Sequence, residues 1–289
     1  MDFTCPRTWA EALEAKAADP EAVPLCGGTD VMVEINFDHR RPPALLDLTR
    51  VAELQGWSDR DGRVVLGAGV TYARIIDEAG KRLPGLAMAA RTVGSPQIRN
   101  RGTVGGNLGA ASPAGDSHPP LLATDTVVIV ESIRGERRIG IADFYTGVKR
   151  NALQPDELIR EIEIAVPSGP QQFCKIGPRN AMVIAVAAFG LALHPDSQRV
   201  GTGVGSAAPT PRRASEAERF LADELAERRL WESRGELPAS VVDEFGRRVQ
   251  QVADPIDDVR GTADYRRHAV SVMARRALTW AWTDYRKAA

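Results

Sequence analysis

The sequence predicts an α+β protein built in two parts, and three observations predict it. Up to Val166, short β-prone runs are interleaved with short helical patterns, with no regular strand-helix-strand repeat. Ser168-Gly169-Pro170 then breaks the pattern. Beyond it, three long strand-like runs are followed by three helical ones, the grouping of an α+β domain. The division is placed between residues 1–168 and 169–289.

The elements follow in order. Thr8 and Glu11 form a T-x-x-E capping box that predicts a helix over 9–16. Residues 22–26 read as a short strand running into Gly27-Gly28, and further short strands are expected over 44–48, 64–68, 126–132 and 158–166. Short helices are expected over 72–79 and 86–91. After the break, 172–176, 183–194 and 199–206 read as strands whose weak alternation suggests burial on both faces. Helices are expected over 215–224, 238–252 and 262–285. In the last of these Val270, Met273, Ala274, Ala277, Leu278 and Ala281 fall on one stripe.

Bulk properties exclude several classes. The formal net charge is -1 over 289 residues, which gives no global electrostatic case for nucleic acid or an anionic membrane. The basic pairs Arg212-Arg213 and Arg266-Arg267 are explained by a solvated face. The longest apolar run, 182–193, falls well short of the ~20 residues of a membrane span. The first residues, MDFTCPRTWAEALEA, have neither a basic n-region nor an apolar signal core. Cys5, Cys26 and Cys174 are scattered and odd in number, which suits a reducing compartment, so a cytoplasmic protein is expected. There is no triphosphatase-type phosphate loop, no G-x-G-x-x-G opening a helix after a strand and no G-x-S-x-G elbow. His39, His118, His194 and His268 are isolated, so no metal site is expected in this chain.

Two glycine pairs remain, in LCGGTD (25–30) and GTVGGN (102–107). Either alone reads as an ordinary turn. Together they share a use: adjacent glycines let successive backbone N–H groups turn toward one anion. Thr29, Thr103 and Asn107 add side-chain donors, and two such loops could clamp a pyrophosphate from two sides. Asp30 would then cap a nearby turn or reach a ribose hydroxyl. The small-residue stretch from Gly102 to Ala114 offers a bed for an extended cofactor, and Asp116 an acceptor for sugar hydroxyls. These residues point to a dinucleotide-like anion site and do not identify the cofactor.

Longer stretches carry a resemblance. VGSPQIRNRGTVGGNLGAASPAGDSHPPLLATDTVV resembles the flavin-binding segment of the medium subunit of molybdenum hydroxylases, the family of the carbon monoxide dehydrogenase medium subunit and the xanthine dehydrogenase flavin domain. LCGGTDVMVEIN resembles its other pyrophosphate loop, and TGVKRNALQPDELIREIEIAVP the end of its flavin domain. GSAAPTPR (205–212) and DPIDDVRGTADYRRHAVSVMARRAL resemble its C-terminal domain. The matches run in order over nearly the whole chain.

The resemblance implies FAD, held between two lobes (about 1–55 and 56–168) of a fold like that of the vanillyl-alcohol oxidases, followed by a C-terminal three-stranded sheet with helices. It implies that Pro24, Leu25, Cys26, Gly27, Gly28, Thr29, Asp30 and Val31 form one cofactor loop. Thr103, Val104, Gly105, Gly106 and Asn107 form the other, with Gly109 and Asp116 as further contacts. Val93 matches a position near the isoalloxazine ring. Ile159 and Lys175 match positions lining the flavin site, although Ile159 reads equally well as a core strand residue. Lys175 could place charge near the ring. Cys26 stands where a small residue such as alanine is usual, and no cysteine-rich insertion for an extra cluster is present.

The implied function is electron transfer. A molybdenum-binding large subunit oxidises a small molecule, a [2Fe-2S] small subunit passes single electrons, and FAD here collects them for a terminal acceptor. A dimer of heterotrimers is implied, and no residue of this chain needs to be catalytic. Thr29, where many sister oxidases have a flavin-linking histidine, implies non-covalent FAD. The alternatives are a stand-alone FAD-dependent oxidoreductase and a scaffold that has lost its cofactor.

Overall fold

The computed structural model describes residues 1–288. The chain begins with a small parallel sheet, β1 (Asp2–Thr4), β2 (Val23–Leu25) and β3 (Ala44–Asp47), ordered β1-β3-β2. Parallel neighbours need crossovers, and α1 (Trp9–Ala18) and α2 (Val31–Asn36) supply them. The capping box at α1 is as the sequence predicts: Thr8 Oγ1 accepts from the Glu11 N–H, and Glu11 Oε2 accepts from the Thr8 N–H. α1 buries Trp9, Ala12 and Leu13, whereas α2 buries nothing.

A five-stranded antiparallel sheet follows, ordered β4-β5-β10-β6-β7. Its strands are β4 (Trp57–Arg60), β5 (Arg63–Gly67), β6 (Val127–Ser132), β7 (Gly135–Gly140) and β10 (Leu158–Ala165). Five short helices separate β5 from β6: α3 (Tyr72–Arg74), which continues as a π-helical turn over Ile75–Ala79, α4 (Pro84–Thr92), α5 (Pro96–Arg101), α6 (Val104–Ala110) and α7 (His118–Ala123). Between β7 and β10 lie α8 (Ile141–Phe144) and a hairpin of β8 (Tyr145–Gly147) and β9 (Arg150–Asn151). One apolar cluster, from Trp9 to Ile164, joins both sheets.

The last part is an antiparallel sheet of β11 (Gln171–Ile176), β12 (Ala187–His194) and β13 (Arg199–Gly205), then α9 (Ser215–Glu227), α10 (Leu230–Ser233), α11 (Ala239–Gln251) and α12 (Ala263–Lys287). Every residue of β12 is buried, because both faces of this sheet are covered. Phe189, Leu191, Leu193, Val200 and Val204 pack with the helices in a second apolar cluster. The opposite face is built from small residues and receives α7. A Cβ at Gly201 would lie 2.0 Å from Ala123 O, and one at Gly203 2.2 Å from Pro119 O. Arg199 and Arg213 both pair with Asp125, just past α7.

Two sequence expectations are corrected. The strand expected over 183–194 begins only at Ala187. The small-residue stretch from Gly102 to Ala114, read as a loop, is helical over Val104–Ala110 as α6. An isolated helix shorter than ~12 residues is marginal, and glycine costs about 1 kcal/mol per position. α6 forms because Thr103 Oγ1 caps the Gly106 N–H at 3.0 Å and because Val104 and Leu108 are fully buried. α7 has Pro119 in its first turn, where its missing N–H costs nothing, and buries all six of its residues.

Candidate functional site

The fold brings the two glycine loops into contact. Gly27 lies so close to the end of α5 that a Cβ there would sit 2.0 Å from Arg101 O and 2.9 Å from Gly102 Cα. A Cβ on Gly106 would come within 3.9 Å of Cys26 Cβ. Cys26, Thr49, Gln55, Thr71, Arg101 and Thr103 line a cavity between the two sheets' loops.

The two loops differ in what they can offer a ligand. Gly28 has φ +75°, which turns the chain into α2. Among the described residues, no protein acceptor takes the backbone N–H of Gly27, Gly28, Thr29, Asp30 or Val31. A run of unspent donors is a vacancy for an anion. The second loop is different, and corrects the expectation that its N–H groups face the ligand. Val104 N–H donates to Val70 O at 3.2 Å, Gly105 N–H to Ala68 O at 3.0 Å and Asn107 N–H to Thr103 O at 3.1 Å. Gly106 N–H is the one capped by Thr103. A Cβ on Gly105 would collide with Ala68 at 2.5 Å, so this glycine serves packing. A Cβ on Gly106 meets only Thr103 Oγ1 at 3.0 Å before Cys26. The second loop therefore offers a bare Cα surface and side chains.

Asn107 is one of those side chains. Tyr72 donates its hydroxyl to Ser117 Oγ at 3.2 Å, and Ser117 donates to Asn107 Oδ1 at 2.6 Å. This relay fixes the amide with its nitrogen unspent. Sequence reasoning passed over Tyr72 and Ser117, which carry no local signal. Asp30 does not cap α2; its carboxylate lies 3.8 Å from Lys149 Nζ.

Beyond α6, Asp116 and Lys175 are joined across the junction of the two parts of the chain. Lys175 Nζ lies 2.6 Å from Asp116 Oδ2 and donates to Thr92 O at 3.2 Å, while Thr92 Oγ1 donates to Asp116 Oδ2 at 3.0 Å. Burial pushes the Asp116 carboxyl above its ordinary range, against the opposing pull of Lys175 and Thr92. Lys175 is thus a paired cation. Asp116 Oδ1 is buried with no partner, an acceptor left for a ligand hydroxyl. Val93 ends α4 beside this pair. Ile159 is a core residue of β10, and its Cδ1 also lies 4.0 Å from the Cβ direction of Gly109. Pro24 and Leu25 belong to β2 and hold the first loop in the small sheet.

These residues fit FAD. Unspent N–H groups suit a pyrophosphate, the bare Gly106 surface allows close approach, and the orphan Asp116 oxygen suits a polyol chain. The surroundings of Cys26 push its thiol up to about 11, although the residue keeps some surface at the cleft. It is a protonated thiol and a poor nucleophile. His118 is fully buried, its imidazole is pushed down to about 3 by desolvation, and its Nδ1 lies 2.7 Å from Tyr145 Oη. Among the described residues no cluster of His, Cys, Asp and Glu is arranged to hold a metal, and no helix is long and apolar enough to cross a membrane.

Comparison with known proteins agrees with this geometry. Residues 1–167 match the family described as FAD binding domain in molybdopterin dehydrogenase, and residues 172–281 match the CO dehydrogenase flavoprotein C-terminal domain. The nicotinate dehydrogenase FAD-subunit of Eubacterium barkeri is 35% identical over 212 residues, covering 70% of this chain and 71% of that protein. The putative xanthine dehydrogenase FAD-binding subunit of Escherichia coli is 28% identical, covering 94% and 92%. A chain in the structure of carbon monoxide dehydrogenase from Hydrogenophaga pseudoflava, in a form lacking the Mo-pyranopterin moiety, superposes with a TM-score of 0.89 at 25% identity, covering 99% and 98%. With the two matches together spanning most of the chain, it belongs to the family of FAD-binding flavoprotein subunits of molybdopterin dehydrogenases.

Proposed function

We propose that this chain is the electron-relaying flavoprotein of a heterotrimer, itself doubled, with a molybdenum-binding large subunit and a [2Fe-2S] small subunit, working in the cytoplasm. Residues 1–168 form the FAD domain, with lobes of about 1–55 and 56–168, and residues 169–289 close it from the side of Lys175. The observation that carries this reading is the run of unspent N–H donors from Gly27 to Val31 set against the bare Cα of Gly106.

When bound, FAD would supply a two-electron store that is filled one electron at a time from iron–sulfur clusters and emptied to a terminal acceptor. The chain's own residues hold and orient it. Gly27, Gly28, Thr29, Asp30 and Val31 give backbone donors to the pyrophosphate, with Cys26 and Leu25 shaping the turn. Gly106, with Thr103, Val104 and Gly105 fixing its helix, allows the opposite approach, and Asn107 offers its amide. Asp116 accepts from the sugar-alcohol chain, Lys175 and Thr92 hold Asp116 in place, and Val93, Gly109 and Ile159 are the apolar contacts expected along the flavin. No side chain here is assigned as acid, base or nucleophile. Thr29 and the protonated Cys26 leave nothing to form a bond to the flavin, so FAD is held without a covalent link. Acid precipitation of the purified full chain is expected to leave the yellow colour in the supernatant. A pellet that keeps flavin fluorescence would overturn the non-covalent assignment, and a chain that takes up no FAD at all would overturn the reading itself.

A further inference from the structure

The hairpin β8–β9 spans from one glycine loop to the other. Its turn is made by Lys149, in the left-handed region at φ 52°. Lys149 Nζ reaches the first loop's helix, lying 2.5 Å from Glu34 Oε1 and 3.8 Å from Asp30 Oδ2. On the other strand, Asn151 Nδ2 donates to Gly109 O at 2.9 Å, at the end of α6. The hairpin therefore ties α2 to α6, and the site lies between their two loops.

α2 needs such a tie. None of its residues is buried, and Met32 and Val33 are exposed, so apolar packing does not hold it down. Glu34 has a second cation, Arg40 at 3.8 Å, but Arg40 follows α2 on the same segment and bridges to nothing beyond it. Asp30 also sets a carboxylate at the end of the donor run, beside the place of a doubly charged pyrophosphate. Lys149 is the cation that offsets it.

Resting on the FAD reading above, we propose that Lys149 is a positioning residue for the cofactor: its ion pairs with Glu34 and Asp30 are a clasp that holds the Gly27–Val31 donors toward α6 and slows FAD release. The clasp is half-exposed, so its strength is that of a surface ion pair and fades with salt.

The test is FAD release from the full holo-chain, followed by the rise of free-flavin fluorescence at about 0.05 M and about 1 M salt. At low salt, Lys149→Met and Glu34→Gln are each expected to speed release about threefold, within the range of exposed pairs. The double variant should be no faster than Lys149→Met, which already removes both ion pairs of the clasp, of which Glu34→Gln removes one. At high salt, with a screening length of ~3 Å, all four proteins should release FAD at similar rates. The melting temperature of the FAD-free chain should be unchanged by Lys149→Met, which separates a clasp from a general loss of stability. Release from Lys149→Met at the wild-type rate in low salt, or strictly additive effects of the two substitutions, would overturn the clasp while leaving the FAD site standing. A wild-type chain that binds no FAD would instead remove the reading on which the clasp rests.

Discussion

Gly105 and Gly106 are adjacent and identical in the sequence, yet the fold gives them different work. The Gly105 N–H is consumed by Ala68 O, and its missing Cβ makes room for Ala68. Gly106 presents its bare Cα toward Cys26 and the cleft. Gly105→Ala should therefore destabilise the chain by ~1–3 kcal/mol, the usual cost of forcing atoms into a packed site. Gly106→Ala should lower the melting temperature only slightly, since alanine favours a helix while its Cβ crowds the capping Thr103 hydroxyl at 3.0 Å. It should weaken FAD binding by about tenfold, equivalent to ~1.4 kcal/mol. Calorimetric melting and FAD titration of both variants check this, and equal FAD affinities would remove Gly106 from the site. The glycine pairs were visible in the sequence as a pattern of small residues. Which glycine faces protein and which faces ligand was not, because that depends on Ala68, far away in the chain. The same holds for Lys175: its charge was legible, its partner Asp116 was not.

Among the elements, α7 and the β12–β13 pair decide how the Asp116–Lys175 end of the site is assembled. Asp116 precedes α7 and Lys175 lies in β11, so their ion pair forms only if α7 is seated on the glycine face of the sheet. The weak alternation of β12 announced burial on both faces, and the structure has it. The sequence could not say that one covering was α7. Nor were α6 and α7 themselves legible, since glycine and proline have poor helix propensity and what stabilises these helices is burial against distant residues. α1 was legible because its capping box is local. A substitution remote from both loops tests the seating. Gly203→Ala places a Cβ against Pro119 O, which belongs to the backbone and cannot swing aside. It should lower stability by ~1–3 kcal/mol and also loosen FAD, although Gly203 touches neither loop. Thermal melts and FAD titration read both effects; an unchanged FAD affinity in a destabilised protein would separate the docking of α7 from the site.

Over the whole molecule, the chain pairs the FAD-binding domain of its family with the flavoprotein C-terminal domain. His118 is buried and neutral, Cys26 is protonated, and Asp116 is engaged by Lys175 and Thr92. On the proposed reading, this FAD-binding subunit stores and passes electrons that are extracted on its partners. The two-part α+β layout was readable from the order of strand and helix patterns, because that order is a property of the chain itself. The meeting of the two glycine loops was suggested by their shared chemistry and implied by resemblance, because contact between distant segments leaves no periodic trace. The account turns on where the electrons come from. The assembled complex and the isolated FAD-loaded chain are each mixed without oxygen with the small molecule that the assembled complex oxidises, and the flavin absorbance is followed. Bleaching in the complex with the isolated chain staying oxidised is the predicted result. Turnover by the isolated chain at roughly 1 per second or faster, an ordinary enzymatic rate, would contradict it.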